Sequence, residues 1–241
     1  LYAGTDDGLL HTSKDGGATW TTMTVDKLPD APATAFVNDI KADMFDANIA
    51  YVALDNHKFG DFRPMLYKTT NGGKSWKSIT EGIPEGTLIW RLVQDHVNPK
   101  LLFLGTEYGV YVSLNQGDNW HKFSNGMPTI SVRDLAIQKR ENDLVGASFG
   151  RGFFVLDDYS ALREFTEDNL EQKGKLFSPR TAKWFVPRSN IGNTGSDYYF
   201  AKNPQYGAVF TYHLADEYKT SKQLRKKKEA ALNVEGDAIH I

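Results

Sequence analysis

Cysteine is absent from the 241 residues, which excludes disulfides, thiolate zinc sites and cysteine nucleophiles while leaving the compartment open. No apolar run reaches 18 residues, so no membrane-spanning helix is predicted. Neither sign of charge dominates: 28 Lys and Arg stand against 30 Asp and Glu, and the formal charge of -2 gives no global attraction to nucleic acid or to an anionic membrane. An initiating Met and a signal-peptide pattern are both lacking. Because Leu1-Tyr-Ala-Gly-Thr5 reads as the middle of a repeat, the expectation is a fragment whose targeting segment lies elsewhere. Ser-His-Asp order, a glycine phosphate loop and nucleic-acid modules are missing too. The histidines, among them His57, His96 and His121, show no paired metal spacing, so neither a metal nor a cofactor is expected.

What the chain has instead is repetition. Ser13-Lys-Asp-Gly-Gly-Ala-Thr-Trp20, Thr69-Thr-Asn-Gly-Gly-Lys-Ser-Trp76 and Ser113-Leu-Asn-Gln-Gly-Asp-Asn-Trp120 share S/T-x-D/N-x-G-x-x-W. Each position has a physical job. Asp15, Asn71 and Asn115 accept from backbone N–H groups two residues on. Gly17, Gly73 and Gly117 supply positive φ for a hairpin turn, and Ser13, Thr69 and Ser113 close a small polar network. Trp20, Trp76 and Trp120 begin the returning strand and pack between sheets. A single Asx per turn falls far short of the six to eight oxygens that calcium takes, so the turns read as structural.

The flanks repeat as well. Short runs rich in β-branched and aromatic residues fall in fours: Phe36–Ile40, Ile49–Leu54, Met65–Thr69 and Trp76–Ile79, then Ile89–Val93, Leu101–Gly105, Val110–Ser113 and Trp120–Phe123, then Val132–Ala136, Leu144–Ala147, Gly152–Leu156 and Leu162–Phe165. Residues 1–25 supply only the last three strands of such a unit. The Trp20, Trp76 and Trp120 spacing suits blades of a β-propeller, with an insertion around Asp55 to Pro64. In the last unit Leu156-Asp-Asp-Tyr-Ser160 keeps an acidic turn residue but has lost the Gly and the Trp, as in a terminal repeat.

The turn motif closely resembles the Asp-box, or BNR, repeat. With Gly150-Arg-Gly-Phe-Phe-Val-Leu-Asp-Asp158, Leu176-Phe-Ser-Pro-Arg180 and Asn203-Pro-Gln-Tyr-Gly-Ala208, the chain is similar to large secreted bacterial proteins with sortilin-like or glycosyl-hydrolase-like propellers. The resemblance implies an extracytoplasmic, bacterial location and an immunoglobulin-like region after the last blade. The fold expected is all-β: residues 1–165 as the C-terminal blades of an Asp-box propeller with an incomplete first blade, 166–200 as a closing segment and linker, and 201–241 as the start of a second, immunoglobulin-like β region. Within that last part Tyr206–Leu214 is the strand signal and Asp216–Leu232 a charged helix, whose basic Arg225–Lys228 reads as a solvated face. The remaining blades are expected from preceding sequence or another chain.

Two functions remain open. A sialidase-like enzyme needs an arginine cluster, and no spacing joins Arg91, Arg133 and Arg151 into one. A xyloglucanase-like enzyme needs two carboxylates, for which Asp39 and Asp134 are the candidates, at equivalent first-strand positions with Arg91 between them. The favoured reading is a non-catalytic module binding protein or glycan, with Trp90, Arg91, Arg133 and Arg151 as candidate contacts. Tyr51, Trp90, Tyr108, Phe149 and Phe153 are available for a sugar face, though alternation in strands favours core positions.

Overall fold

The computed structural model describes residues 1–123, 125–182, 184–186 and 206–235. The chain divides into a unit of Leu1–Glu167 and a second of Asp168–Ile241.

In the first unit, four antiparallel sheets follow one another along the chain. The first is three-stranded: β1 (Tyr2–Gly4), β2 (Leu9–Thr12) and β3 (Thr21–Thr24). The second has β4 (Phe36–Ala42), β5 (Ala50–Asp55), β6 (Leu66–Thr69) and β7 (Lys77–Ser78), and the third has β8 (Ile89–Gln94), β9 (Leu102–Thr106), β10 (Gly109–Ser113) and β11 (His121–Lys122). The fourth stops at three: β12 (Val132–Gln138), β13 (Asp143–Ser148) and β14 (Phe153–Leu156). Strands β4, β8 and β12 pack side by side, and three hydrophobic clusters fill the spaces between successive sheets. Strands β5, β9 and β10 are buried along their whole length, which accounts for sequences apolar on both faces, such as Leu102-Phe-Leu-Gly-Thr106.

The three eight-residue turns adopt one hydrogen-bond pattern. The hydroxyls of Ser13, Thr69 and Ser113 donate to Asp15, Asn71 and Asn115 at 2.8, 3.0 and 2.9 Å, and accept from the N–H of Gly17, Gly73 and Gly117 at 2.7, 3.0 and 2.8 Å. The Asx oxygen reaches the N–H four residues on, not two as the sequence suggests: Thr19, Ser75 and Asn119 each donate at 2.9 Å. The hydroxyl takes the nearer amide, so the Asx side chain spans the whole turn. Gln116 occupies φ 63° where the other two turns carry glycine.

The tryptophans are not equivalent. Trp120 is 2% exposed, and its indole N–H donates to the Ile79 carbonyl of the preceding sheet at 2.8 Å. Trp76 is only partly buried, and Trp20 is 46% exposed and donates to Gly17 of its own turn. What lies before each differs: a four-stranded sheet before Trp120, a three-stranded one before Trp76 and, among the described residues, none before Trp20. The fourth strand expected at Leu162–Phe165 is a further departure, because a 3-10 turn spans Tyr159–Arg163. There Asp158 takes left-handed backbone and accepts from the Ser160 amide, while Leu162 and Phe165 pack onto a core cluster and Arg163 reaches Asp95 at 2.8 Å. The short apolar segment expected as a strand thus belongs to a capped turn.

In the second unit β15 (Gly174–Leu176) pairs antiparallel with β16 (Tyr212–Leu214). The predicted strand over Tyr206–Leu214 is thus confined to its last three residues: its partner is three residues long, and Gly207 sits at φ 104°. Helix α1 (Ser221–Glu235) starts at a capping box, in which Thr220 accepts from the Gln223 amide and Gln223 accepts from the Thr220 amide at 2.8 Å. Arg225 pairs with Glu229 one turn on, and the basic run is exposed. The Arg188–Ser196 loop and the Asn203-Pro204 element lie outside the described residues.

Candidate functional site

Strand register gives the first unit two distinct ends. Thr69 pairs with Ala50, so the eight-residue turns share an end with the C-termini of the inner strands; Phe36 pairs with Asp55, so the β5–β6, β9–β10 and β13–β14 connections share the other end. At that second end each inner strand carries an irregularity at the same place, between Val37 and Asp39, Ile89 and Arg91, and Val132 and Asp134. The extra residues are Asn38, Trp90 and Arg133. A bulge re-aims the side chain it carries and breaks the ladder locally, as beside many active sites.

Around these bulges the sheets are joined through side chains. Asn38 donates to the Ile89 carbonyl at 2.7 Å. Arg91 pairs with Asp39 at 2.9 Å on one side and with Asp134 at 2.8 Å on the other, so the geometry unites the three residues that the sequence places at equivalent positions. Asp39 is buried, and its second oxygen accepts from the Leu92 amide at 2.8 Å; Asp134 is mostly exposed. Burial works against the charge of Arg91, but the two carboxylates outweigh it and hold its pKa above the ordinary value.

Arg133 lies over the Trp90 ring at 3.6 Å and near that of Phe149 at 5.3 Å. The Trp90 indole donates to Glu107 at 2.9 Å, and Glu107 also accepts from Ser131 at 3.1 Å. His57, held by Asp55 at 2.7 Å, meets both Phe36 and Trp90 edge-on at 6.3 Å. Phe36, His57, Trp90, Arg133 and Phe149 therefore form a continuous strip across three sheets. Arg151 is exposed between Gly150 and Gly152 and does not join it. Of the five aromatics considered for a sugar face, Tyr51 and Trp90 are buried, whereas Tyr108, Phe149 and Phe153 are 47, 71 and 76% exposed, against the expectation of core packing. The last three sit in or beside the connections at the bulge end, where no further layer among the described residues covers them.

Two residues escaped the sequence reading. Asp43 and Asp95 directly follow β4 and β8 and are both buried. Asp43 accepts from Gln94, Tyr51 and Gln116, and Asp95 from Tyr159 at 2.6 Å and Arg163 at 2.8 Å, besides the backbone amides of its own turn. Desolvation and the adjacent carboxylate push both the Tyr51 and the Tyr159 hydroxyl well above the usual tyrosine range. The signal was a second, looser repeat, Asp43-Met-Phe-Asp against Asp95-His-Val-Asn. Among the described residues, no three His, Asp or Glu stand together as ligands of a common ion.

No family model and no curated protein matches the chain. Solved structures do. The GH74 xyloglucanase from Xanthomonas campestris superposes with a TM-score of 0.52 at 17% identity, over 67% of this chain and 27% of that one. The fold is a β-propeller. An ancestral GH74 enzyme gives 0.49 at 23% identity over 61% of this chain and 20% of its own, and YCF48 bound to D1 peptide gives 0.45 at 20% over 66% and 47%. The chain thus spans between about a fifth and a half of those structures, and at such identities the likeness concerns fold alone. No helix among the described residues is long and apolar enough to cross a membrane.

Proposed function

We propose that the chain is the C-terminal part of an Asp-box propeller from a sortilin-like, secreted or envelope protein of bacteria. In this reading it is a non-catalytic module that binds a protein or glycan at the bulge end. Residues 1–165 supply blades, the others coming from preceding sequence or another chain; 166–200 close the propeller, and 201–241 open an immunoglobulin-like region. The observation that carries the binding assignment is the strip in which Arg133 lies over the Trp90 ring at 3.6 Å while Phe149 is exposed. A flat guanidinium and an exposed ring offer stacking to a sugar face or an aromatic side chain, with Arg133, Glu107 and Asp134 supplying directional polar contacts.

The rival is a glycoside hydrolase, favoured by the convergence of Asp39 and Asp134 on Arg91. Access argues against it. Both Asp39 oxygens are engaged, one by Arg91 and one by a backbone amide, and the residue is buried, whereas a general acid or nucleophile must reach the scissile bond. Binding of a glycan and peptide panel by the chain and by Arg133→Ala tests the proposal. Loss of at least about tenfold in affinity is expected. Equal binding would remove the strip from the site, and release of reducing ends that Asp39→Asn or Asp134→Asn abolishes would replace the module with an enzyme.

A further inference from the structure

A cavity of about 400 Å³ opens between the third and fourth sheets, walled by Val110, Phe123 and Met127 on one side and Leu135, Leu144 and Phe154 on the other. The preceding interface shows what such a space holds. There Leu66, Ile79, Ile83, Leu92, Leu102 and Tyr111 stand at the corresponding positions, and the indole of Trp120 fills the middle, donating to the Ile79 carbonyl. Two things differ in the fourth sheet. The turn after β14, Leu156-Asp-Asp-Tyr-Ser160, carries no tryptophan, and Gly146 stands in the place of Leu104, which belongs to the same cluster as Trp120.

The edge beside this cavity is unpaired as well among the described residues. Strands β6 and β10 pair outward with β7 and β11 through Tyr67↔Ser78 and Lys68↔Lys77, and through Tyr111↔Lys122 and Val112↔His121. Among the described residues nothing pairs with the corresponding Phe154 and Val155, and Val155 and Leu156 are 57 and 38% exposed. An uncovered apolar edge is a template for strand addition.

We infer that this cavity and the β14 edge together form a docking site for an extended segment of another polypeptide whose pattern is Trp, two residues of any kind, then a large apolar residue. The indole enters the cavity and donates to the Phe123 carbonyl, the counterpart of Ile79. The next two residues pair with Phe154 and Val155, and the fourth covers the outer core. The pattern is that of Trp76-Lys-Ser-Ile79 and Trp120-His-Lys-Phe123, which already occupy the same place in the two preceding sheets. The site lies away from the bulge-end strip and does not depend on what binds there.

The test uses a fluorescent peptide with the sequence of Gly117–Phe123, titrated against the full 241-residue chain. Saturable binding is expected, weakened at least about tenfold by Trp120→Ala in the peptide, because the buried aromatic anchor dominates such contacts. Gly146→Phe in the chain puts an aromatic ring into the space that the indole would take; an added Cβ there lies 3.5 Å from Leu135 and Val132, an ordinary contact. That variant should lose peptide binding to the same degree without a fall in its unfolding midpoint. Absence of binding by the parent, equal binding by Gly146→Phe, or equal binding of the Trp120→Ala peptide would overturn the inference. So would a dimer in sedimentation that Gly146→Phe dissociates, since the occupant would then be a second copy of the chain.

Discussion

The two ends of the propeller sheets are built from different kinds of residue. At the turn end, the residues that recur along the chain spend their hydrogen bonds on the chain itself: each hydroxyl, Asx oxygen and glycine amide is matched within eight residues. At the bulge end, positions that are equivalent in structure carry different side chains, Asn38, Trp90 and Arg133, and their partners come from neighbouring sheets. Repetition marks what every sheet needs in order to stack. Variation at a fixed backbone irregularity marks where the molecule is free to differ, and under the proposed function that is where a ligand is recognised.

The largest expected effect sharpens this contrast at the turn end. Asp95→Asn should cost about 3 to 5 kcal/mol in urea unfolding, because Arg163 is left buried without its counter-charge. Burial alone pushes the Asp95 carboxyl up, but Arg163, the Tyr159 hydroxyl and the amides of Asn98 and Val97 outweigh it and hold it below the usual carboxylate range. A carboxyl lowered in the folded state contributes fully above its unfolded pKa, and that contribution is lost as pH falls through the folded value. The parent's unfolding midpoint should therefore drop on acidification below about pH 4, and more steeply than that of Asp95→Asn.

The tryptophans come next. Trp120→Ala should also cost about 3 to 5 kcal/mol, Trp76→Ala about 1 to 3 and Trp20→Ala below about 1, in the order of their burial. Equal losses in thermal unfolding would mean that the turns stabilise each hairpin locally and do not clamp sheet to sheet. A smaller effect is expected at the bulge end. Arg91→Gln removes the ion pairs to Asp39 and Asp134 while the stem still covers the inner strands, and should cost about 1 to 3 kcal/mol in the same assay. A loss as large as that of Asp95→Asn would make this end structural too.

How much of this was legible in the sequence follows from the same contrast. The three turns and eleven of the twelve repeat strands stand out because one pattern recurs at fixed offsets, and the fold class follows from them. Bulges carry no such mark: each is an offset between two strands, and Asn38, Trp90 and Arg133 have no chemistry in common. The twelfth strand misled because Leu162-Arg-Glu-Phe165 falls where the fourth strand of each earlier unit does, although its apolar residues stand three apart, the spacing of a turn, and Asp158 and Ser160 form the cap. Tryptophan burial is set by the preceding sheet and is invisible in the motif itself. The Asp39, Arg91 and Asp134 grouping was legible because a repeat brings equivalent residues of neighbouring sheets together, whereas the exposure of Phe149 and Phe153 depends on what lies beyond the sheet.

The division between the ends is tested most directly by the double variant Arg133→Ala, Phe149→Ala, measured for urea unfolding and for ligand binding on one preparation. If the bulge end is the recognition surface, the unfolding free energy stays within about 1 kcal/mol of the parent, as for exposed positions, while binding to the glycan or peptide identified in the panel is lost. If the unfolding free energy instead falls as far as for Trp120→Ala, the strip is part of the stacking that holds the sheets together, and the assignment of function to that end is contradicted.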